Sequence, residues 1–96
     1  MSKLTPYGKA IRKLRIDRGM LLYDMAKALD VTSTYLCGVE FGRNKANLDL
    51  VNKASSLFGL DKDAAKELHI LANLSNTLIW NSLASTLPSG TAFNLL

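Results

Sequence analysis

Apolar residues recur along the chain every three or four positions, the spacing that places side chains on one face of an α-helix. Thr5 and Pro6 precede the first such stripe, and this pair is typical of a helix start. Gly19 follows the stripe in the position of the left-handed residue that ends a helix. The sequence therefore predicts a helix between these points, with an inner face of Tyr7, Ala10, Ile11 and Leu14.

Four further helices are predicted from the same pattern, over residues 22–29, 33–41, 48–58 and 62–72. Thr32, Asn47 and Asp61 precede the last three, and each has a side-chain oxygen suited to an N-cap. We expect Gly42 and Gly59 to end two of them. The predicted inner faces consist of Met25, Ala26 and Leu29; Leu36 and Val39; Leu50, Val51, Ala54, Leu57 and Phe58; and Leu68, Leu71 and Ala72.

The pattern is ambiguous after residue 73. Residues 74–83 fit a short sixth helix, but the apolar run 77–80 fits a strand equally well. The predicted fold class is all-α: a five-helix domain over residues 1–73, followed by a short helical or extended segment within 74–96.

Residues 25–43 have the spacing of two short helices joined by a tight turn. Ala26 provides the small side chain needed where the helices cross, and Val31 provides the apolar residue needed in the turn. Thr32 is placed to cap the second helix, and Leu36 and Val39 are its inward positions. This is a helix-turn-helix pattern, in which the second helix of many proteins lies in the major groove of DNA.

The charge of the chain is concentrated towards its N-terminus. The formal net charge is +4 over 96 residues, and six of the 12 lysines and arginines lie within the first eighteen positions, opposed there only by Asp17. Arg43 and Lys45 add two cations directly after the helix-turn-helix pattern. This distribution fits a polyanionic partner, although a run of charge is also typical of a solvated helix face.

The sequence lacks the residues of a catalytic or metal site. One cysteine, Cys37, and one histidine, His69, provide no disulfide and no zinc-ligand set, and the sequence shows no glycine-rich phosphate loop and no carboxylate pair in a plausible cleft. No signal peptide or membrane-spanning stretch is recognisable. We expect a cytoplasmic protein that is not an enzyme, needs no cofactor or metal and does not bind membranes.

The core pattern of residues 29–39 and the Glu-Phe-Gly-Arg run at 40–43 resemble the helix-turn-helix domain of the λ repressor and Cro class, the Xre family. The runs at 5–8 and 12–15 resemble its small prophage-type regulators. The first helix extends the likeness with the run at 11–15 and with Gly19, so that it covers residues 6–60. The resemblance implies a λ-repressor-like fold of about five helices. It also implies an ion pair between Arg15 and Glu40.

The resemblance implies further that the third helix enters the major groove with its N-terminus first. Base contacts would then come from this helix, and phosphate contacts from the first helix, the start of the second and the loop after the third. The expected base contacts are Ser33, Thr34, Tyr35, Cys37 and Gly38. The expected phosphate contacts are Leu22, Tyr23, Arg43, Asn44, Lys45 and Lys9.

The C-terminal third carries no Asp, Glu, Lys or Arg after Glu67, and two hypotheses fit it. It is either a flexible tail or an apolar surface buried against a second copy of the chain. Exposed apolar patches usually mark interfaces, which favours a homodimer. The expected dimer interface consists of Leu74, Leu78, Ile79, Trp80 and Leu83.

The predicted function is that of a sequence-specific DNA-binding transcriptional regulator, a dimeric repressor that reads double-stranded DNA with residues 33–40. The alternative is an antitoxin or anti-repressor whose main partner is another protein. Leu21 and Leu22 favour the alternative because they stand where relatives often carry a polar cap and a glutamine. Gly38 favours it as well, since it offers no side chain where relatives often read a base.

Overall fold

The computed structural model describes residues 3–84, with side chains up to residue 77. Five helices and their turns make up this part of the chain, and it contains no strand, which confirms the predicted all-α class. The helices are α1 (Pro6–Asp17), α2 (Leu22–Ala28), α3 (Ser33–Glu40), α4 (Leu48–Leu57) and α5 (Lys62–Ala84). None of the described helices is both long enough and apolar enough to cross a membrane.

Side-chain caps fix the starts of four helices, as the sequence predicted. In each case a side-chain oxygen accepts the backbone N–H three residues further on, which satisfies one of the amides that a helix start leaves without a partner. The exception is α2, where Leu21 stands at the cap and has no such oxygen. The capping bonds join Thr5 to Gly8 and Thr32 to Tyr35 at 3.0 Å, and Asn47 to Leu50 and Asp61 to Ala64 at 2.8 Å.

The helices enclose one apolar core. Helix α1 packs against α5 and α3, α2 packs against α3, and α4 packs against α5. Most predicted inner positions are buried, while Ala10, Leu14, Leu57 and Leu71 are half-buried at the edge of the core. The buried apolar residues are Tyr7, Ile11, Met25, Ala26, Leu29, Leu36, Val39, Ala46, Leu50, Val51, Ala54, Phe58, Leu68 and Ala72.

The predicted end of the fifth helix near residue 72 is wrong, as is the separate helix or strand at 74–83, because α5 continues unbroken to Ala84. The weak helix formers after Ala72 are held in the helix by tertiary hydrogen bonds, which override local propensity. Ser75 accepts the backbone N–H of Tyr7 at 2.9 Å, and Asn76 bonds to the backbone of Ala46. The expected division between residues 73 and 74 therefore falls inside one helix.

Helix α1 approaches the end of α3 very closely at Gly8. A methyl group on Gly8 would overlap the backbone carbonyl of Glu40. The same carbonyl accepts a hydrogen bond from the backbone N–H of Thr5 at 2.9 Å. The absence of a side chain at Gly8 therefore allows the start of α1 to be hydrogen-bonded to the last turn of α3.

Candidate nucleic-acid interface

A buried ion pair joins α1 to the last turn of α3. The Nε and Nη2 atoms of Arg15 donate to the two carboxylate oxygens of Glu40 at 3.3 and 3.2 Å. Glu40 is 1% exposed and Arg15 is 8% exposed. Because two parallel bonds hold the carboxylate, its charge is compensated inside the protein and is not presented to a ligand.

The first turn of α3 is open to solvent. Thr34 is exposed and Ser33 is half-buried, while Thr32 carries the capping bond that starts the helix. Cys37 is half-buried one turn further on. These side chains are short, so this end of α3 offers a narrow polar ridge.

Gly38 does not lie on that ridge. It is buried, and a Cβ atom there would overlap the side-chain amide of Asn44. Its carbonyl accepts the backbone N–H groups of Arg43 and Asn44 at 2.7 and 3.1 Å. The absence of a side chain at Gly38 thus allows the loop after α3 to fold back against the helix.

The loop over residues 41–47 is held by side chains from two helices. The hydroxyl of Tyr35 donates to the carbonyl of Lys45 at 3.0 Å, and the amide of Asn44 donates to the carbonyl of Tyr35 at 3.3 Å. On the other side, Asn76 of α5 accepts the N–H of Ala46 and donates to its carbonyl, both at 2.9 Å. The loop backbone is therefore fixed, and the Tyr35 hydroxyl and the Asn44 amide each use a donor for this purpose.

The expected phosphate-binding cations lie around the C-terminal end of α3. Arg43 and Lys45 are exposed on the loop, and Lys9 is exposed on α1 next to the close approach at Gly8. Cations are favourable here because the C-terminal end of a helix carries partial negative charge. The structure thus brings cations from two separate segments to one end of α3.

The start of α2 differs from the rest of this surface. The side chain of Leu22 packs against the core and Tyr23 is 64% exposed. Asp24 accepts the backbone N–H of Leu21 at 3.1 Å, which places a carboxylate in the first turn. That negative charge opposes a phosphate at the expected amide contacts of Leu22 and Tyr23.

Only part of the expected dimer interface falls among the described side chains. Leu74 is 47% exposed on α5, and Ile70, one turn earlier, is 56% exposed. The side chains of Leu78, Ile79, Trp80 and Leu83 lie outside the described residues. The described part of α5 therefore offers a short apolar strip, Ile70 and Leu74, that no other described residue covers.

Three residues of this region were not among the predicted site residues. Two arginines lie near the ring of Phe41, and one of them is Arg12, which the sequence indicated only as one of six N-terminal cations. Asn76 holds the loop, but its partner Ala46 is thirty positions away, so no local pattern indicates the contact. For Phe41, the signal in the sequence was an aromatic residue directly before a glycine and an arginine.

No family model, no curated protein and no solved structure matches the chain. Within residues 3–77, His, Cys, Asp and Glu side chains form no group that could hold a metal ion. The likeness to the λ repressor and Cro class stays a hypothesis.

Proposed function

We propose that the chain is a sequence-specific DNA-binding transcriptional regulator with a λ-repressor-like helix-turn-helix, a dimeric repressor that lays residues 33–40 in the major groove. The observation that carries the proposal is the open first turn of α3, with Ser33 and Thr34 accessible and the exposed cations Arg43 and Lys45 on the loop after the same helix. The major groove of DNA is about 12 Å wide and accepts one α-helix. A helix inserted there brings the cations at its other end to the flanking phosphates.

The electrostatics of this end of the molecule support the same function. Glu40 is the one acidic residue of α3, and its charge is compensated by Arg15. Helix α3 therefore presents no uncompensated acidic side chain to a phosphate bound at this end. Phosphate contacts of this kind supply most of the non-specific affinity of DNA-binding proteins.

The side chains on the open turn predict modest direct reading of bases. Ser33 and Thr34 make single hydrogen bonds, whereas the strongest discrimination comes from the two-pronged contacts of Arg, Asn and Gln. The Tyr35 hydroxyl is already engaged by the loop. We therefore propose that DNA shape and bridging water contribute a large part of the sequence preference.

A homodimer completes the proposed regulator. The apolar strip of Ile70 and Leu74 on α5 supports a contact with a second copy. Two copies related by a two-fold axis would read a palindromic operator whose half-sites lie about 34 Å apart.

The test is a titration of the protein against the intergenic DNA upstream of its own gene and against random duplex, at several salt concentrations. The proposal expects tight binding to the upstream DNA with a slope of log affinity against log salt of about −4 to −8. Arg43→Gln should reduce the size of that slope by about 1, because it removes one phosphate contact. Lys66→Gln is the matched control, since it removes an exposed cation of α5. Equal, weak binding to both duplexes would refute the proposal.

A second function, binding to a protein partner as an antitoxin or anti-repressor does, is favoured by the apolar start of α2. Leu21 and Tyr23 are 69% and 64% exposed. Tyr23 also borders an open cavity of about 420 Å³ between α2 and the start of α3. A stoichiometric partner that co-purifies with the chain and is lost on Tyr23→Ser would favour this function over the first.

A further inference from the structure

Two arginines from different segments lie near the ring of Phe41. The guanidinium carbon of Arg12, on α1, is 5.9 Å from the ring centre, and that of Arg43, on the loop after α3, is 6.0 Å from it. Arg43 is exposed, and Arg12 and Phe41 are half-buried. Since both guanidiniums lie near the same ring, the two cations belong to one small patch. We term these two arginines, Arg12 and Arg43, the Phe41 pair.

The backbone around Phe41 produces this arrangement. Phe41 is the C-cap of α3, and Gly42 follows with a φ of 81°, a conformation that favours glycine and reverses the chain. The reversal returns the Arg43 guanidinium to within 3.7 Å of the Cys37 sulfur, alongside α3. Arg12 reaches the same ring from α1, whose start is held to the end of α3 by the hydrogen bond from the Thr5 N–H to the Glu40 carbonyl.

The Phe41 pair has no internal counter-ion among the described residues. The nearest acid in sequence, Glu40, is buried and both of its oxygens are held by Arg15. The other ion pair in the described part of the chain joins Lys53 to Asp49 on α4. Two like charges held near one ring repel each other, and an anion bound to both relieves that repulsion.

We propose that the Phe41 pair is an oxyanion-binding site that grips a phosphodiester group of the DNA backbone, with Phe41 as its positioning residue. The site rests on the proposed function for its biological ligand. Guanidinium groups bind phosphate oxygens through paired N–H donors, and this geometry makes arginine well suited to the role. Both guanidinium groups lie within cation–π distance of the ring, and such a contact leaves N–H donors available to an anion.

The first test needs no DNA. Inorganic phosphate is titrated into the whole protein at constant ionic strength, with chloride as the replaced anion, and the arginine Nε–H signals are followed by NMR. The signals of Arg12 and Arg43 should shift together and saturate. Arg18 is the matched internal control, since it lies 5.0 Å from the ring of Phe58 but already donates to the carbonyls of Leu14 and Phe58. Equal shifts of all three signals, or none, would overturn the site.

The second test separates the role of the ring from that of the charges. Phe41→Leu keeps both arginines and should weaken binding to a duplex by about three- to tenfold through loss of the two cation–π contacts. Phe41→Tyr keeps an aromatic ring and should restore both the affinity and the coupled phosphate shifts. In the Phe41→Leu background, Arg12→Gln should cost less affinity than it does in the unaltered protein. Amide spectra of each variant check that the fold is kept.

The outcomes distinguish this site from the proposed function. If the protein binds no duplex but phosphate still shifts Arg12 and Arg43 together, the oxyanion site stands and the proposed function fails. If the protein binds DNA but Phe41→Leu behaves like the unaltered chain and the arginine signals stay silent, the site fails and the function stands.

Discussion

Replacing Arg15 by methionine should destabilise the protein severely. The substitution keeps an unbranched side chain but removes both donors to Glu40, leaving a carboxylate that is 1% exposed without its counter-charge. Breaking a buried pair in this way costs about 3–5 kcal/mol. A protein of this size is stable by about 5–15 kcal/mol in total, so the variant should keep only part of its stability.

The size of the effect should depend on burial, and the chain contains an exposed pair for comparison. Lys53 and Asp49 are 3.1 Å apart on α4, with side chains that are 43% and 74% exposed. Such a pair contributes about 0.3–0.5 kcal/mol, so Lys53→Met should be nearly silent. Urea unfolding followed by circular dichroism measures both variants on the same scale.

A double variant tests whether the cost comes from the uncompensated charge. Arg15→Met combined with Glu40→Leu removes both charges, and replacement of a buried pair by apolar residues is often neutral or stabilising. The double variant should therefore be more stable than Arg15→Met alone. The reasoning is refuted if Arg15→Met costs no more than Lys53→Met, or if the two changes at the buried pair simply add.

Three further predictions concern the packing around this junction. Gly8→Ala should cost about 1–3 kcal/mol in urea unfolding, because its methyl group overlaps the carbonyl of Glu40; Lys9→Ala, exposed on the same helix, is the control. Burial, with a smaller contribution from Tyr35, raises the pKa of Tyr7, and its hydroxyl is buried without a hydrogen-bond partner in the described part of the chain. The contribution of Tyr7 to the free energy of unfolding should therefore be constant below a pH of about 10, the ordinary tyrosine pKa, and fall above it. Tyr7→Phe should remove that alkaline loss without cost at neutral pH, and an unchanged alkaline profile would contradict the assignment. Asn76→Ala should cost about 1–3 kcal/mol and speed hydrogen exchange at Ala46, whose N–H loses its partner; Asn73→Ala, exposed on the same helix, should do neither.

The features that could be predicted from the sequence depend on neighbours within one helical turn. The cap of Thr32 involves a residue three positions away, and the turn at Gly42 needs only the conformational freedom of glycine. The inner faces follow from periodicity alone. These local rules gave the starts of all five helices and most of the core.

Other features depend on contacts across the fold, and no local pattern carries them. Local propensity predicted a break after Ala72, but the partners of Ser75 and Asn76 lie 68 and 30 positions away. The burial of Gly38 under Asn44 depends on how the next loop folds back. Without the register of α1 against α3, Arg12 could be placed only on an exposed face, not beside Phe41.

Because α5 is one continuous helix, a displacement of its C-terminal end is transmitted to the part of the helix that contacts the loop after α3. The helix runs unbroken to Ala84, and Asn76 is hydrogen-bonded to the loop at Ala46. About 12 Å of helix therefore extends beyond Asn76. A partner that binds the C-terminal end of α5 and tilts this segment by about ten degrees about Asn76 would displace that end by about 2 Å. The hydrogen bonds between Asn76 and the loop that carries Arg43 and Lys45 would resist this tilt. Joining two copies at this segment would thus set both the distance between their loops and the angle at which each loop is presented.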